Sequence, residues 1–188
     1  WADQIVVLDS GSHDNTVALC KQYTDEVYVT DWPGFGLQRN RALQYATGDW
    51  VLFIDADEQA SAALRADILN ILQSPEEIIS GYKIPRQSYF LGKQLCAGDW
   101  GRDKVLRLFR NGKGRYSESA VHERCIVEGK VGLLSGPLTH DTVRSLDVGL
   151  HKMNVYSTLG AKSQERLGVR QLLLAWCHGM WTFIRSYL

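Results

Sequence analysis

The 188 residues carry 21 Lys or Arg against 21 Asp or Glu, so no basic excess points to a nucleic-acid partner. The length suffices for one domain with a substantial core, and 45% hydrophobic residues without a low-complexity tract is ordinary for a globular chain. Four scattered cysteines, Cys20, Cys96, Cys125 and Cys177, form no CxxC pair, which argues against zinc or a redox couple and predicts buried thiols in a reducing compartment.

The chain begins at Trp1 without a signal-peptide pattern. The stretch "QIVVLDSGSHDNT" predicts a buried strand over Ile5 to Leu8, then a turn at Ser10, Gly11 and Ser12. Asp14 or Asn15 caps the helix that continues through Val17, Ala18 and Cys20. "EVYVTD" is a second short strand, with Val27 and Val29 alternating. "WPGFG" is a loop, and "LQRNRALQYATG" a helix that stops at Gly48.

"WVLFIDADE" reads as a third strand that ends on three acids, Asp55, Asp57 and Glu58. "SAALRADILNIL" is an amphipathic helix with Leu64, Ile68, Ile71 and Leu72 on one face. Strands alternating with helices predict an α/β fold with a mostly parallel sheet. After Ser80, "GYKIPRQSYFLGKQL" and "KVLRLFRNGKGRYS" predict strands with Gly-rich turns, an antiparallel extension of that sheet. No long helix is expected before about Leu146, and the residues from Asp147 onward form one or two helices.

In parallel α/β sheets, ligands sit outside the carboxyl ends of strands. Two predicted strands end there on acid, at Asp9 and Asp55. Residues two apart on an extended chain point the same way, so Asp55 and Asp57 converge if the chain stays extended. A divalent cation relieves the repulsion between two such carboxylates. The competing reading has Asp55 capping the following helix, with Asp57 and Glu58 in solvent.

Taken in order, "VVLDSGSHDNT", "GFGLQRNRAL" and "GDWVLFIDADE" resemble the nucleotide-sugar half of a family 2 glycosyltransferase of the GT-A fold. "DKVLRLFRNGKGRYSESAVHE" and "GPLTHDT" extend the resemblance to the bacterial branch that builds lipopolysaccharide inner core, including its β-glucosyltransferases. The resemblance implies a Rossmann-like, mostly parallel sheet with helices on both faces, a small antiparallel extension and C-terminal helices. It implies a glycosyltransferase domain over residues 1–145 and a helical segment over 146–188. Enzymes of this type begin with another strand and helix, so an N-terminal unit is expected ahead of Trp1.

Residue by residue, the resemblance implies that Asp9 contacts the base or ribose of a UDP-sugar. Arg39 approaches its phosphate or ribose. Asp55 and Asp57 form a DxD pair for Mg²⁺ or Mn²⁺, with Asp57 the more direct ligand. His140 is a further metal ligand, a diphosphate contact or a hydrogen-bonded structural residue. Of the two acids in "SESAVHE", Glu118 and Glu123, the family pattern favours Glu123 as the base that deprotonates the acceptor, with His122 as its neighbour. Trp100 suits stacking on a sugar face or core packing.

The expected reaction is metal-dependent, inverting transfer of a sugar, glucose from UDP-glucose, onto a lipid-linked inner-core saccharide. Transfer onto polyprenyl phosphate, and a non-catalytic nucleotide-sugar-binding fragment, are the alternatives. A phosphatase using "DAD" is excluded, because Gln59 stands where threonine or valine is needed. The expected location is the bacterial cytoplasm, peripheral on the inner face of the cytoplasmic membrane. "QLLLAWCHGMWTFIRSYL" supports this, since Trp176, Trp181, Phe183 and Tyr187 flanked by Arg170 and Arg185 suit a membrane surface. The uncharged core of that stretch falls short of the roughly 20 apolar residues of a membrane span.

Overall fold

The computed structural model describes residues 1–73, 78–98, 100–118, 123–162 and 169–187. In chain order come β1 (Val7–Asp9), α1 (Thr16–Cys20), β2 (Val27–Val29), α2 (Phe35–Leu43) and β3 (Trp50–Leu52). Then follow β4 (Glu58–Ala60), α3 (Ala62–Gln73), β5 (Ile79–Phe90), β6 (Lys93–Gln94) and β7 (Lys104–Arg110). The remainder is β8 (Gly114–Tyr116), β9 (Cys125–Val127), β10 (Lys130–Leu133), β11 (Leu138–Val143), α4 (Leu146–Lys162) and α5 (Val169–Tyr187). The chain divides into two compact units, and β5 contributes residues to each.

The first unit comprises Trp1–Ile54, Leu69–Ile84 and Leu106–Leu134. Here β1 and β2 pair in parallel, Val7 opposite Val27 and Asp9 opposite Val29. β3 pairs antiparallel with β7, and β10 runs parallel to the first half of β5. β8 and β9 form a separate antiparallel pair. Ile79, Tyr82, Ile84, Leu108 and Phe109 are buried, and the rings of Phe53, Phe109 and Tyr116 meet at centroid separations of 5.0–6.5 Å. Burial of this aromatic and aliphatic surface is the main favourable term holding the unit together.

The second unit comprises Asp55–Ile68, Pro85–Val105 and Ser135–Leu188. β11 is its central strand, parallel to the second half of β5 and antiparallel to β4. β6 folds back on β5 through Leu91 and Gly92, both at positive φ (49° and 76°), the conformation of a tight hairpin. Leu64 and Ile68 of α3 and Leu138 of β11 supply the core.

The α/β class holds, and the long helix begins at Leu146, as the sequence predicts. Four expectations change in detail. The sheet is mixed: β3–β7 and β4–β11 pair antiparallel, while in the part expected to be an antiparallel extension β10 and β11 lie parallel to β5. The strand expected to reach Asp55 stops at Leu52, with one further backbone bond from Phe53 to Arg107. The cysteines are not core residues, since Cys96 and Cys177 are exposed and Cys20 and Cys125 half-buried, all as free thiols. On α3, Leu64 and Ile68 are buried while Leu72 is 41% exposed, so the apolar face is narrower than its pattern.

Candidate active site

In the first unit, "GFGLQRN" works as a docking device. A Cβ on Gly36 would lie 2.0 Å from the Ser117 carbonyl oxygen, so only glycine lets α2 come this close to the chain leaving β8. The next residues use that approach. Asn40 accepts from the Tyr116 N–H (2.8 Å) and donates to its carbonyl (2.9 Å). The buried Gln38 donates to Ser10 Oγ (3.1 Å) and Thr30 Oγ1 (2.7 Å). The Arg39 guanidinium lies over the Tyr116 ring, 5.1 Å from its centroid, and pairs with Glu123 Oε1. Two residues proposed from the sequence for separate roles are therefore partners. Burial pushes the Tyr116 phenol well above its usual range and the Cys125 thiol up to about 11, so neither offers an anion at neutral pH.

Asp9 closes β1 and is buried. Its Oδ1 accepts from the Ser12 hydroxyl (2.5 Å), and Oδ2 from the Gly11 and Ser12 N–H groups (both 2.8 Å). The Ser12 hydroxyl and N–H bonds hold this carboxyl below its ordinary range. Gly11 adopts φ of 91°, which the tight turn requires. A carboxylate has about four acceptor positions, so three internal bonds leave one for an outside hydroxyl.

In the second unit the DAD segment turns instead of staying extended. The Glu58 N–H donates to the Asp55 carbonyl (2.9 Å), closing a tight turn over Ala56 and Asp57. The extended-chain argument for convergence of Asp55 and Asp57 therefore does not apply. The competing reading fails too: α3 starts at Ala62, and its N-terminus is capped by Ser61 Oγ, which accepts from the Leu64 N–H (3.1 Å), and not by Asp55. The Glu58 side chain is fully buried rather than solvated. Its Oε2 accepts from the Asp55 N–H (3.0 Å), and its Oε1 lies 3.5 Å from Arg86 Nη1. Arg86 is clamped in turn by Asp103, at 2.7 Å from Nε and 2.5 Å from Nη2.

Asp57 faces a different set of partners. Lys152 Nζ of α4 donates to its Oδ2 (3.0 Å) and to the Thr142 carbonyl (2.9 Å). His140 Nε2 of β11 lies 3.4 Å from the same Oδ2. Strand pairing makes this possible, since β11 lies against β4 with His140 opposite Glu58, and the Asp141 N–H bonds to the Asp57 carbonyl (2.9 Å). His140 Nδ1 is 3.2 Å from Ser88 Oγ, a fully buried hydroxyl able to donate or accept, so it serves either ring tautomer. Burial raises the Asp57 pKa, but the hydrogen bonds and charge of His140 and Lys152 outweigh it and hold the carboxyl well below the usual range. An open cleft of about 470 Å³ borders Asp57, Tyr89, Thr139, Asp141 and Arg144, a volume in the range of small-molecule sites.

Asp57 and His140 thus offer one oxygen and one nitrogen ligand on a common face. Among the described residues, no three His, Cys, Asp or Glu side chains converge to hold a metal ion. Asp57 with water and phosphate oxygens matches the usual way Mg²⁺ is held, whereas the His140 nitrogen is a ligand type that suits softer divalent ions.

Trp100 sits on a short 3₁₀ turn and is 43% exposed, which leaves its ring at the surface and not in the core. Glu118 is exposed. His122 lies outside the described residues. Sequence reasoning missed Gln38, Asn40 and Lys152, and it gave Glu58 no role beyond a solvated acid. The first two had a signal, being polar residues beside a glycine pair on a helix. Lys152 had none, because it meets Asp57 from 95 residues away.

Comparison with known proteins gives two findings. The model of the family described as Glycosyl transferase family 2 matches residues 2–118. The lipopolysaccharide core biosynthesis glycosyltransferase LpsC of Rhizobium meliloti (strain 1021) is 37% identical over 174 residues, covering 89% of this chain and 64% of its own length. An uncharacterized glycosyltransferase of Rickettsia prowazekii (strain Madrid E) is 28% identical, covering 98% of this chain and 69% of its own length. The chain thus spans about two thirds of the length of the curated relatives it matches.

Proposed function

This chain belongs to glycosyl transferase family 2, and we propose that its parent protein moves a sugar, glucose from UDP-glucose, onto a saccharide of the lipopolysaccharide inner core. The observation that carries the reading is the 37% identity to a relative named for lipopolysaccharide core biosynthesis, spread over 89% of the chain.

In the proposed chemistry, Glu123 takes the proton of the acceptor hydroxyl while that oxygen bonds to the anomeric carbon. The bond from that carbon to the diphosphate breaks with inversion, and UDP leaves with the electron pair. Arg39 orients Glu123 through their ion pair. Asp9, with its turn already fixed by Ser12, offers its remaining acceptor position to the nucleoside. Asp57 and His140, with Asp55, are the residues that would hold Mg²⁺ or Mn²⁺. Such a cation, when bound, supplies Lewis-acid neutralisation of the leaving diphosphate. The support for it is the 3.4 Å approach of His140 Nε2 to Asp57 Oδ2.

The proposed acceptor is lipid-linked, with the protein peripheral on the inner face of the cytoplasmic membrane. The support is α5, where Leu173, Trp176, Met180 and Phe183 follow helical spacing and all are exposed. No described helix is long and apolar enough to cross a membrane.

A donor screen on the full-length parent, read by UDP release, tests the proposal, with Asp57→Ala as control. UDP-glucose turnover lost in the control supports it. Release from a different donor corrects the sugar, and full activity of the control removes the metal assignment.

A further inference from the structure

We propose that Lys152 is a built-in counter-ion of the cation site, whose ammonium occupies the Asp57 oxygen that a divalent ion would take and is displaced when that ion binds. The inference rests on the metal reading above. Three observations carry it.

The first is the identity of the oxygen. Lys152 Nζ (3.0 Å) and His140 Nε2 (3.4 Å) both approach Asp57 Oδ2. The lysine hydrogen-bonds this oxygen directly, and the imidazole nitrogen lies beside it, so both groups crowd one carboxylate oxygen. A cation that binds through Oδ2 beside His140 therefore meets the ammonium already in place.

The second is that the fold places Lys152 there. Its ammonium also donates to the Thr142 carbonyl (2.9 Å), on the strand that carries His140. A half-exposed surface lysine would otherwise sample many rotamers, and two acceptors at once select one.

The third is that displacement is feasible. The Lys152 side chain is 37% exposed, so a released ammonium reaches water directly. Its four-carbon stem is flexible, and its head is a compact, strongly hydrated charge. The pair neutralises Asp57 while no cation is bound and gives way to a doubly charged one. Metal affinity is then set by a competition and not by ligand count alone.

The test measures Mn²⁺ binding to the full-length parent by the electron paramagnetic resonance signal of free Mn²⁺. Lys152→Met should bind Mn²⁺ about fivefold tighter, the scale of one partly exposed ion pair. Lys152→Arg, which keeps the charge, should stay near the wild-type value. Asp57→Asn should lose the site. If Asp57→Asn abolishes binding but Lys152→Met leaves affinity unchanged or weaker, the counter-ion is refuted and the metal reading stands. If Asp57→Asn binds like wild type, both fall. A measurement on the unaltered protein covers the case in which the methionine variant does not fold. Acylation of Lys152, followed by mass spectrometry, should rise when Mn²⁺ is added, and labelling indifferent to Mn²⁺ overturns the proposal.

Discussion

Arg39 and Glu123 form an ion pair across 84 residues of sequence, one partner on α2 and the other in the segment that follows β8. The two side chains are only 14% and 15% exposed, so the pair holds its charges largely out of water. This joins the proposed base to the helix carrying "QRN". Glu123→Gln keeps the shape and removes the base, so UDP release by the parent should fall by about 10²–10⁴-fold. Arg39→Gln should lower turnover as well, by leaving Glu123 without its orienting partner. A glutamine variant at 123 with undiminished turnover would move the base elsewhere.

Gly36 makes the pair possible, since α2 approaches Ser117 at a distance that no Cβ tolerates. The obstacle is backbone, which cannot swing away like a side chain. Gly36→Ala is expected to cost about 1–3 kcal/mol, in the range of overpacked sites. Thermal unfolding would show the loss. A variant as stable as the parent would mean that α2 and the Ser117 segment separate without cost.

Glu58 predicts a different phenotype. It is a fully buried carboxylate that holds the Asp55 N–H and faces Arg86. Glu58→Ala removes a buried acceptor from the half-buried Asp55 N–H and a carboxylate from beside Arg86, at about 1–3 kcal/mol. For a protein of this size that corresponds to a fall in Tm of roughly 2–4 °C per kcal/mol. Asp103→Ala should be destabilising for a related reason, since Arg86 loses its clamp. Scanning calorimetry of both variants checks this, and a double variant whose loss is less than the sum would demonstrate coupling through Arg86.

The turn after β1 gives a pH dependence. Asp9 has a depressed carboxyl pKa in the folded state because Ser12 and Gly11 donate to its charged form. A depressed acid contributes stability that is fully present above its unfolded value, about 3.9. That contribution fades as pH falls through the lower folded value. Urea unfolding between pH 7 and pH 3 should therefore show a steeper acid decline in the parent than in Asp9→Asn. Parallel curves would show that the three hydrogen bonds do not favour the ionised form.

The exposed face of α5 yields a prediction for the membrane reading. Trp176 is 68% and Trp181 62% exposed, an unusual state for indole rings in water. Replacing both by alanine should weaken flotation of the parent with vesicles containing anionic lipid while leaving its melting temperature unchanged. Equal flotation would assign the face to another partner.

Local patterning alone determined a good deal. The run of apolar residues, turn residues and helical spacing gave the α/β class, the helix beginning at Leu146 and the strand ending at Asp9, because these depend on contacts a few residues apart. Motif order pointed to the family, since "DSGS", "GFGLQRN" and "DADE" occur in fixed sequence. Strand direction was not legible: β10 and β11 run parallel to β5 because connections elsewhere return the chain, and neighbouring residues carry no record of that. Nor was the partner of each acid. The same carboxylate chemistry became a turn lock at Asp9, a buried anchor at Glu58 and a lysine-paired group beside an open cleft at Asp57. A charge acts through space over a few ångströms, and only the tertiary structure decides which distant cation or N–H occupies that space.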